Sequence, residues 1–315
     1  MQFEYPLLEA LAAVIREGTF EAAARSLNVT QSAVSQRVKL LEEKAAAVLI
    51  VRGRPCIATE FGQQLYRHVE QVRLLEHDLR KSLASIENPS SGMPAVIRIA
   101  VNSDSLATWF PEVIQRAGSE MNLYFDIFPD DQEHTAERLR SGEALAAVTA
   151  EVNPLPGCRR VSLGAVEFLA IASPRFVEAN FHDGVSYEAV SQATNLRYGR
   201  KDTLPQQWLL NAFGDPASLV GHWLPSISGH LACCLNGAGW GMMPRISVES
   251  HLGDGSLVEL VPGASVTVPL YWQSSGSGSE IMKMLSSTVV EVARKHLLSS
   301  PDHGINKRTS VLATD

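Results

Sequence analysis

The sequence predicts an α/β protein with an N-terminal winged helix-turn-helix, and three observations carry that prediction. The first sixty residues read as three short helices followed by a basic hairpin. A long helix with a near-heptad apolar stripe comes next. From residue 96 onward, apolar strand-like runs alternate with helical ones, the order of an α/β architecture with largely parallel sheets. The chain has 315 residues, 45% of them hydrophobic, which suits two or more packed domains and excludes a disordered or fibrous chain.

Residues 6–17 (PLLEALAAVIRE) place Leu7, Leu8, Leu11, Val14 and Ile15 at helical spacing, with Pro6 tolerated in the first turn. Gly18 ends that helix and Thr19 caps the next, Phe20 to Leu27, whose Phe20, Ala23, Ala24 and Leu27 are expected to be buried. The two alanines allow two helices to cross at close range. Asn28 and Val29 form a turn, and Thr30 caps a third helix from Gln31 to about Glu43.

The third helix separates its faces. Val34, Val38 and Leu41 point inward, while Ser32, Ser35, Gln36 and Lys39 point outward beside Gln31 and Arg37. Such a face suits a DNA major groove: Gln reads adenine bidentately, Arg and Lys read guanine, and hydroxyls bond phosphates. A merely solvated helix face would have the same pattern. The next segment, VLIVRGRPCIAT (48–59), favours the groove, because it reads as two short strands joined by a turn bearing Arg52 and Arg54. From Arg25 to Arg54 there are six basic residues against two acidic ones, a local attraction for phosphate.

The long helix follows Thr59, with Leu65, Val69, Val72, Leu75, Leu79, Leu83 and Ile86 spaced by three and four. That stripe predicts packing against another helix. Residues 87–95 (ENPSSGMPA) break it and mark a domain boundary. Beyond them, strands are predicted at 96–101, 123–128, 145–149, 166–172, 195–198, 257–261 and 266–272. Helices are predicted at 105–118, 132–141, 203–212, 228–236 and 279–298, with a polar tail after 300.

Ligands of α/β folds sit at the carboxyl ends of strands. Strand 96–101 ends in Asn102-Ser103-Asp104-Ser105, strand 123–128 in Pro129-Asp130-Asp131 and strand 145–149 in Thr149, while Ser226 precedes helix 228–236. Ser103, Asp104, Ser105, Asp131, Thr149 and Ser226 are therefore the candidate ligand residues. Hydroxyls with free N–H groups hold a carboxylate, and the acids hold a cation, which together suits an amino acid with a basic side chain. Ordinary helix capping explains the same residues one by one.

Other chemistry has no pattern behind it. Cys56, Cys158, Cys233 and Cys234 show neither a disulfide framework nor metal spacing, the nine histidines form no ligand motif, and no phosphate loop or nucleophile elbow occurs. The run Gly237-Ala238-Gly239-Trp240-Gly241 departs from a dinucleotide fingerprint at Met242 and reads as a turn between a helix and a strand. The expectation is a non-enzyme without metal or cofactor. No apolar run approaches the ~20 residues of a membrane span. The N-terminus carries Glu4, Glu9 and Glu17 and lacks a basic leader, so a cytoplasmic location is expected. The formal charge of -7 lies wholly after the linker, since residues 1–90 hold 11 basic and 11 acidic side chains.

The stretch GTFEAAARSLNVTQSAVSQRVKLLEE, followed by Leu49, Arg52 and ATEFG (58–62), resembles the winged helix-turn-helix of LysR-type transcriptional regulators. Two departures are Ala46, where the family usually has a helix-ending Gly, and Ile50, where it usually has Phe. The resemblance implies double-stranded promoter DNA and RNA polymerase as partners, with Thr30, Gln31, Ser32, Ser35, Gln36, Arg37, Lys39, Arg52 and Arg54 facing DNA. It also implies a homodimer or homotetramer joined through the long helix, and an effector domain of two periplasmic-binding-protein-like α/β lobes. The corresponding division is a DNA-binding domain at 1–60, a linker helix at 61–88, a hinge at 89–95 and an effector domain at 96–300. Its lobe I covers about 96–164 and 269–300, and its lobe II about 165–268; a tail follows at 301–315. VNSDSLATW (101–109), AERLRSGEALAAV (136–148) and LYW (270–272) are further similar to the ArgP/LysG branch, also called IciA. That likeness implies an activator of basic amino-acid export with lysine or arginine as small-molecule effector. The open alternatives are a LysR-type regulator of another metabolite, and an α/β binding protein or enzyme with no transcriptional role.

Overall fold

The structure is a computed structural model that describes residues 3–87, 94–130, 132–216, 218–275 and 278–299. The expected hinge lies largely outside the described residues, and the tail and Asp131 lie wholly outside them. The chain divides into two compact units. One comprises Met1–Val101, Ile114–Arg160 and Trp272–Thr288, and the other Asn102–Val113, Val161–Tyr271 and Val289–Asp315.

The first unit begins with α1 (Tyr5–Glu17), α2 (Phe20–Ser26) and α3 (Gln31–Ala45). Gly18 ends α1 in the left-handed conformation at φ 73, and the Thr19 hydroxyl accepts from the N–H of Ala22 to start α2. Ala23 and Ala24 are buried where the helices cross, whereas Phe20 and Leu27 are only half-buried at the rim of this core. The wing is β1 (Ile50–Val51) paired antiparallel with β2 (Ile57–Ala58). Two contacts fasten it: Glu42 accepts from the N–H of Leu49 at 2.9 Å, and the N–H of Cys56 donates to the Gly18 carbonyl at 2.7 Å. Ala46 adopts the left-handed conformation itself, at φ 50, so the wing leaves α3 by the turn a glycine would make. Ile50 is buried.

Then comes α4 (Glu60–Glu87), a single helix of 28 residues. Its first turns close the core of the N-terminal helical module through Leu65, Tyr66 and Val69, and Leu75, Leu79 and Leu83 remain exposed further along. Gly62 is required by proximity, since a Cβ there would stand 2.1 Å from the Leu49 carbonyl oxygen.

After the hinge the chain forms β3 (Ala95–Asn102), α5 (Ser103–Ala107), α6 (Phe110–Met121), β4 (Leu123–Asp130), α7 (Gln132–Ser141) and β5 (Ala146–Thr149). The single helix expected at 105–118 is in fact two, α5 and α6. Pro111 has no N–H to donate to Ala107, so the hydrogen-bond ladder of α5 does not continue and a new helix starts with the proline in its first turn. In the first unit β3 lies between β4 and β5, with β3 and β5 parallel in the register Ile99 to Ala146.

The remaining elements are β6 (Cys158–Ala172), α8 (Pro174–Asn180), α9 (Tyr187–Gln192), β7 (Asn195–Arg197), α10 (Leu204–Phe213), β8 (Gly221–Trp223), α11 (Ile227–Leu235), β9 (Trp240–Pro244), α12 (Arg245–Gly253), β10 (Val258–Glu259), β11 (Ser265–Ser275) and α13 (Glu280–His296). The chain passes between the units inside β3, α6, β6, β11 and α13. In the second unit β7 lies between β8 and β9 and is parallel to both, whereas β9 and β10 pair antiparallel with β6. Its sheet is therefore mixed, not largely parallel as expected. The run 237–241 supplies the turn from α11 in its first three residues, and its Trp240 and Gly241 already belong to β9. β9 itself, WGMMP, is wholly buried and escapes pattern reading because it neither alternates nor contains a β-branched residue.

Candidate functional site

Two sites emerge, one in each unit. In the first, α3 presents its polar face as its sequence spacing requires. Val34, Val38 and Leu41 are buried, Gln31, Ser32, Gln36 and Lys39 are exposed, and Ser35 and Arg37 are half-buried. Thr30 is the N-cap, its hydroxyl accepting from the N–H of Ala33 at 3.2 Å and lying 2.9 Å from Ser32 Oγ. The helix start is thus held by the hydroxyls nearest the reading face. Arg52 and Arg54 are exposed on the wing, and the Arg52 guanidinium lies 5.2 Å from the centroid of the Phe20 ring. Lys39 has a loose partner, Glu43 at 3.8 Å. A rigid helix with free Gln, Ser and Arg ends beside a basic hairpin offers both base-edge and phosphate contacts.

The second site is built where β3 turns into α5. Ser103, Asp104 and Ser105 fall in the second unit, as do Tyr198, Asp202 and α11. Ser103 Oγ lies 2.9 Å from the Tyr198 hydroxyl. Asp104 stands in the first turn of α5, and its carboxyl is pushed up to about 7, first by burial and then by the charge of Asp202. Burial also raises Asp202, opposed by the N–H groups of Tyr198 and Leu204 and by the charge of Arg197. Two acids in one half-buried place, each raised, make a site that gains when a cation arrives.

Polar atoms without partners occur in the residues that flank Asp104 in the chain. Among the described residues, both side-chain atoms of Asn102 and the hydroxyl of Ser105 are buried and make no hydrogen bond. Buried polar groups seldom remain so, and a bound ligand is one way to satisfy them. α5 packs on α11, where Ser226 caps the helix by accepting from the N–H of Gly229 and lies 3.2 Å from Ser228 Oγ. His230 in α11 is buried with its Nε2 unpartnered, and burial pushes its pKa down to about 4, so it is neutral. A Cβ on Gly241 would lie 2.1 Å from that nitrogen, which is why the β9 position beside it is glycine.

Of the six candidate ligand residues, the structure thus brings Ser103, Asp104 and Ser105 together and places Ser226 in the same unit. Thr149 belongs to the first unit, and its hydroxyl accepts from the N–H of Glu151 at 3.1 Å. Tyr198, Asp202 and His230 were not singled out by sequence. The strand-end rule that pointed to Ser103 would also have pointed to Tyr198 and Asp202, just past β7, had the turn YGRKD been read for its acid. Among the described residues, no group of three or more His, Cys, Asp or Glu is placed to hold a metal, and no helix is long and apolar enough to cross a membrane.

Comparison with known proteins covers both regions of the chain. Residues 6–63 match the family model for the bacterial regulatory helix-turn-helix protein of the lysR family, and residues 90–294 match that of the LysR substrate binding domain. The transcriptional regulator ArgP of Pseudomonas fluorescens strain Pf0-1 is 38% identical over 296 residues, covering 94% of this chain and 99% of its own. The crystal structure of ArgP from Mycobacterium tuberculosis superposes with a TM-score of 0.83 at 40% identity, covering 95% of this chain and 100% of that one. Full-length LysG from Corynebacterium glutamicum with bound effector Arg gives a TM-score of 0.73 at 32% identity, covering 94% and 100%. The winged helix-turn-helix with its open reading helix, the effector-type domain behind it and these likenesses along nearly the whole chain lead to one conclusion: this protein belongs to the LysR family of transcriptional regulators, in the ArgP/LysG branch.

Proposed function

We propose that this regulator senses a basic amino acid, arginine or lysine, through Asp104 and Asp202, and controls the gene of an amino-acid exporter as an activator. The observation that carries the reading is the raised, half-buried pair of acids beside the orphaned Asn102 and Ser105. The carboxylates suit the cationic end of the ligand, while the Asn102 amide and the hydroxyls of Ser103 and Ser105 suit its carboxylate. The Arg named as effector of the Corynebacterium LysG structure is of the same chemistry.

The rest of the reading follows from the first unit. Gln31, Ser35, Gln36, Arg37 and Lys39 enter the major groove, and Arg52 and Arg54 contact phosphate. The exposed Leu75, Leu79 and Leu83, four residues apart on one face of α4, support a homodimer formed through the linker helix, with a tetramer as a further assembly. Promoter DNA and RNA polymerase are the partners, the location is the cytoplasm, and no catalysis or cofactor is involved. Titrating the full-length protein with arginine and lysine by calorimetry, with unrelated acids as controls, tests the effector. Heat from the basic amino acids alone is expected, and its absence would remove the effector assignment. Footprinting the intergenic region upstream of its own gene tests the regulatory role.

A further inference from the structure

The linker helix of a dimeric regulator needs only its start, to carry the DNA-binding module, and its apolar stripe, to meet a partner. In this chain it does more. Three polar contacts, made between Tyr66 and Asp78 of α4, join it to parts of its own first unit that lie beyond the hinge. At the first, Arg98 on β3 donates from Nη1 to the Tyr66 hydroxyl at 2.9 Å. The same guanidinium donates from Nε to Asp126 on β4 at 2.8 Å, so its fork is held between helix and sheet. Tyr66 is 1% exposed, and burial is the main cause that pushes its pKa to about 12, so it stays a neutral acceptor.

The second contact is one residue further on. Arg67 donates to the carbonyl of Arg140 at the end of α7, and Gly142 beyond it leaves the space the guanidinium fills, since a Cβ there would lie 2.6 Å from Arg67 Nε. The third stands three turns along α4. Asp78 accepts from the N–H of Glu280 at 2.8 Å and of Ile281 at 3.3 Å, so a side chain of the linker helix serves as the N-terminal cap of α13. A carboxylate in that position meets free N–H groups and the positive end of a 17-residue helix. Capping normally comes from the residue just before a helix; here it comes from a residue about two hundred positions earlier in the chain.

We infer that Tyr66, Arg67 and Asp78 form a latch that fastens the linker helix to the effector-domain elements β3, α7 and α13 of the same chain, so that the effector signal reaches the DNA-binding module through these contacts. A helix bound at both ends of a 12-residue span cannot turn independently of what it is bound to. Any shift of β3 or α13 is then passed to α1–α3 through the packing of Leu65, Tyr66 and Val69. Tyr66 is the pivotal residue, because it belongs both to the core of the DNA-binding module and to the Arg98 contact.

The coupling rests on the effector reading proposed above, so the test separates the two. In the full-length protein, Tyr66→Phe with Arg67→Met and Asp78→Ala removes all three polar contacts, since none of the new side chains can make them, while the packing of α4 is largely kept. Arginine affinity by calorimetry should stay within twofold of the unaltered protein. The ratio of operator Kd values with and without arginine should collapse to within twofold of one. A ratio that keeps its unaltered value overturns the latch. If the unaltered protein binds neither arginine nor lysine, the effector reading fails, and the latch is then judged by a second experiment that uses no ligand. Arg67→Cys with Gly142→Cys brings two Cβ positions a few tenths of an ångström short of the ~3.5–4.5 Å of a disulfide, a gap that a small backbone shift opens, since the ideal Gly142 Cβ lies 3.2 Å from Arg67 Cβ. In a Cys158→Ser background this pair should close an intrachain disulfide under mild oxidation. A bond between chains, or none, overturns the proposal.

Discussion

Ser103 Oγ and the hydroxyl of Tyr198 lie 2.9 Å apart although 95 positions separate them in the chain, and this contact holds the start of α5 against the end of β7. It sets Asp104 and Asp202, the next acid on each side, into one neighbourhood. Tyr198→Phe should weaken arginine binding about five- to tenfold, the worth of one neutral hydrogen bond of about 1 kcal/mol. Calorimetry on the full-length variant reads it. An unchanged Kd would place the contact outside the ligand site.

The pH dependence of that site has a definite sign. Asp104 ionises at about 7 when folded against 3.8 ordinarily, so the folded protein keeps a proton that the unfolded chain has released between those values. Its contribution to stability therefore declines as pH rises from about 4 to 7. A bound cation favours the ionised carboxylate, so arginine binding below pH 7 should release a proton, and affinity should rise as pH approaches 7. Calorimetry in two buffers of different ionisation heat counts that proton. Asp104→Asn should abolish the release, and an equal proton count in that variant would assign it to another group.

At the reading helix, Gln36→Ala or Arg37→Ala should relax base preference, by ~1–3 kcal/mol where the lost contact is bidentate. Arg52→Ala and Arg54→Ala should weaken binding to all sequences alike and flatten its salt dependence. Competition shifts with operator and random DNA, run at several salt concentrations, distinguish the two classes. Loss of sequence preference in the Arg52 variant would move the reading to the wing.

Ala46 adopts a left-handed conformation that costs a residue with a Cβ ~1–2 kcal/mol. Ala46→Gly should therefore raise stability by about 0.5–1 kcal/mol, after the greater chain entropy of glycine in the unfolded state is offset. Thermal unfolding of the variant should show a midpoint a few degrees higher. A lower midpoint would mean that the Ala46 methyl has packing of its own.

Gly62 gives the opposite expectation. Its added Cβ would stand 2.1 Å from a backbone oxygen, which cannot move aside as a side chain can. Gly62→Ala should destabilise the DNA-binding module by about 1–3 kcal/mol and displace the wing from α4. Chemical denaturation and operator binding should both report the damage, while arginine binding in the other unit persists. A variant with normal stability and DNA affinity would show that α4 can slide on the wing.

Local pattern was enough for the N-terminal module, because its evidence is local. The spacing of Val34, Val38 and Leu41 decides which way α3 faces, Thr19 and Thr30 are caps whose partners lie three residues away, and a basic turn between short apolar runs is a wing. The alternation of strands and helices past residue 96 likewise announced an α/β domain, and the end of β3 pointed to Ser103, Asp104 and Ser105. Tertiary structure alone decided the rest. A three-residue edge strand and the all-buried β9 carry no periodicity to read, and the parallel or antiparallel sense of pairs such as β6 with β9 depends on distant chain reversals. Asp202 gains its raised pKa from burial, which no spacing in its own segment displays. Asp78 becomes the cap of α13 only when two segments two hundred residues apart meet. Hydrogen-bond partners in helices are set by short spacings that a sequence displays; burial and long-range contacts arise only once the whole chain has packed.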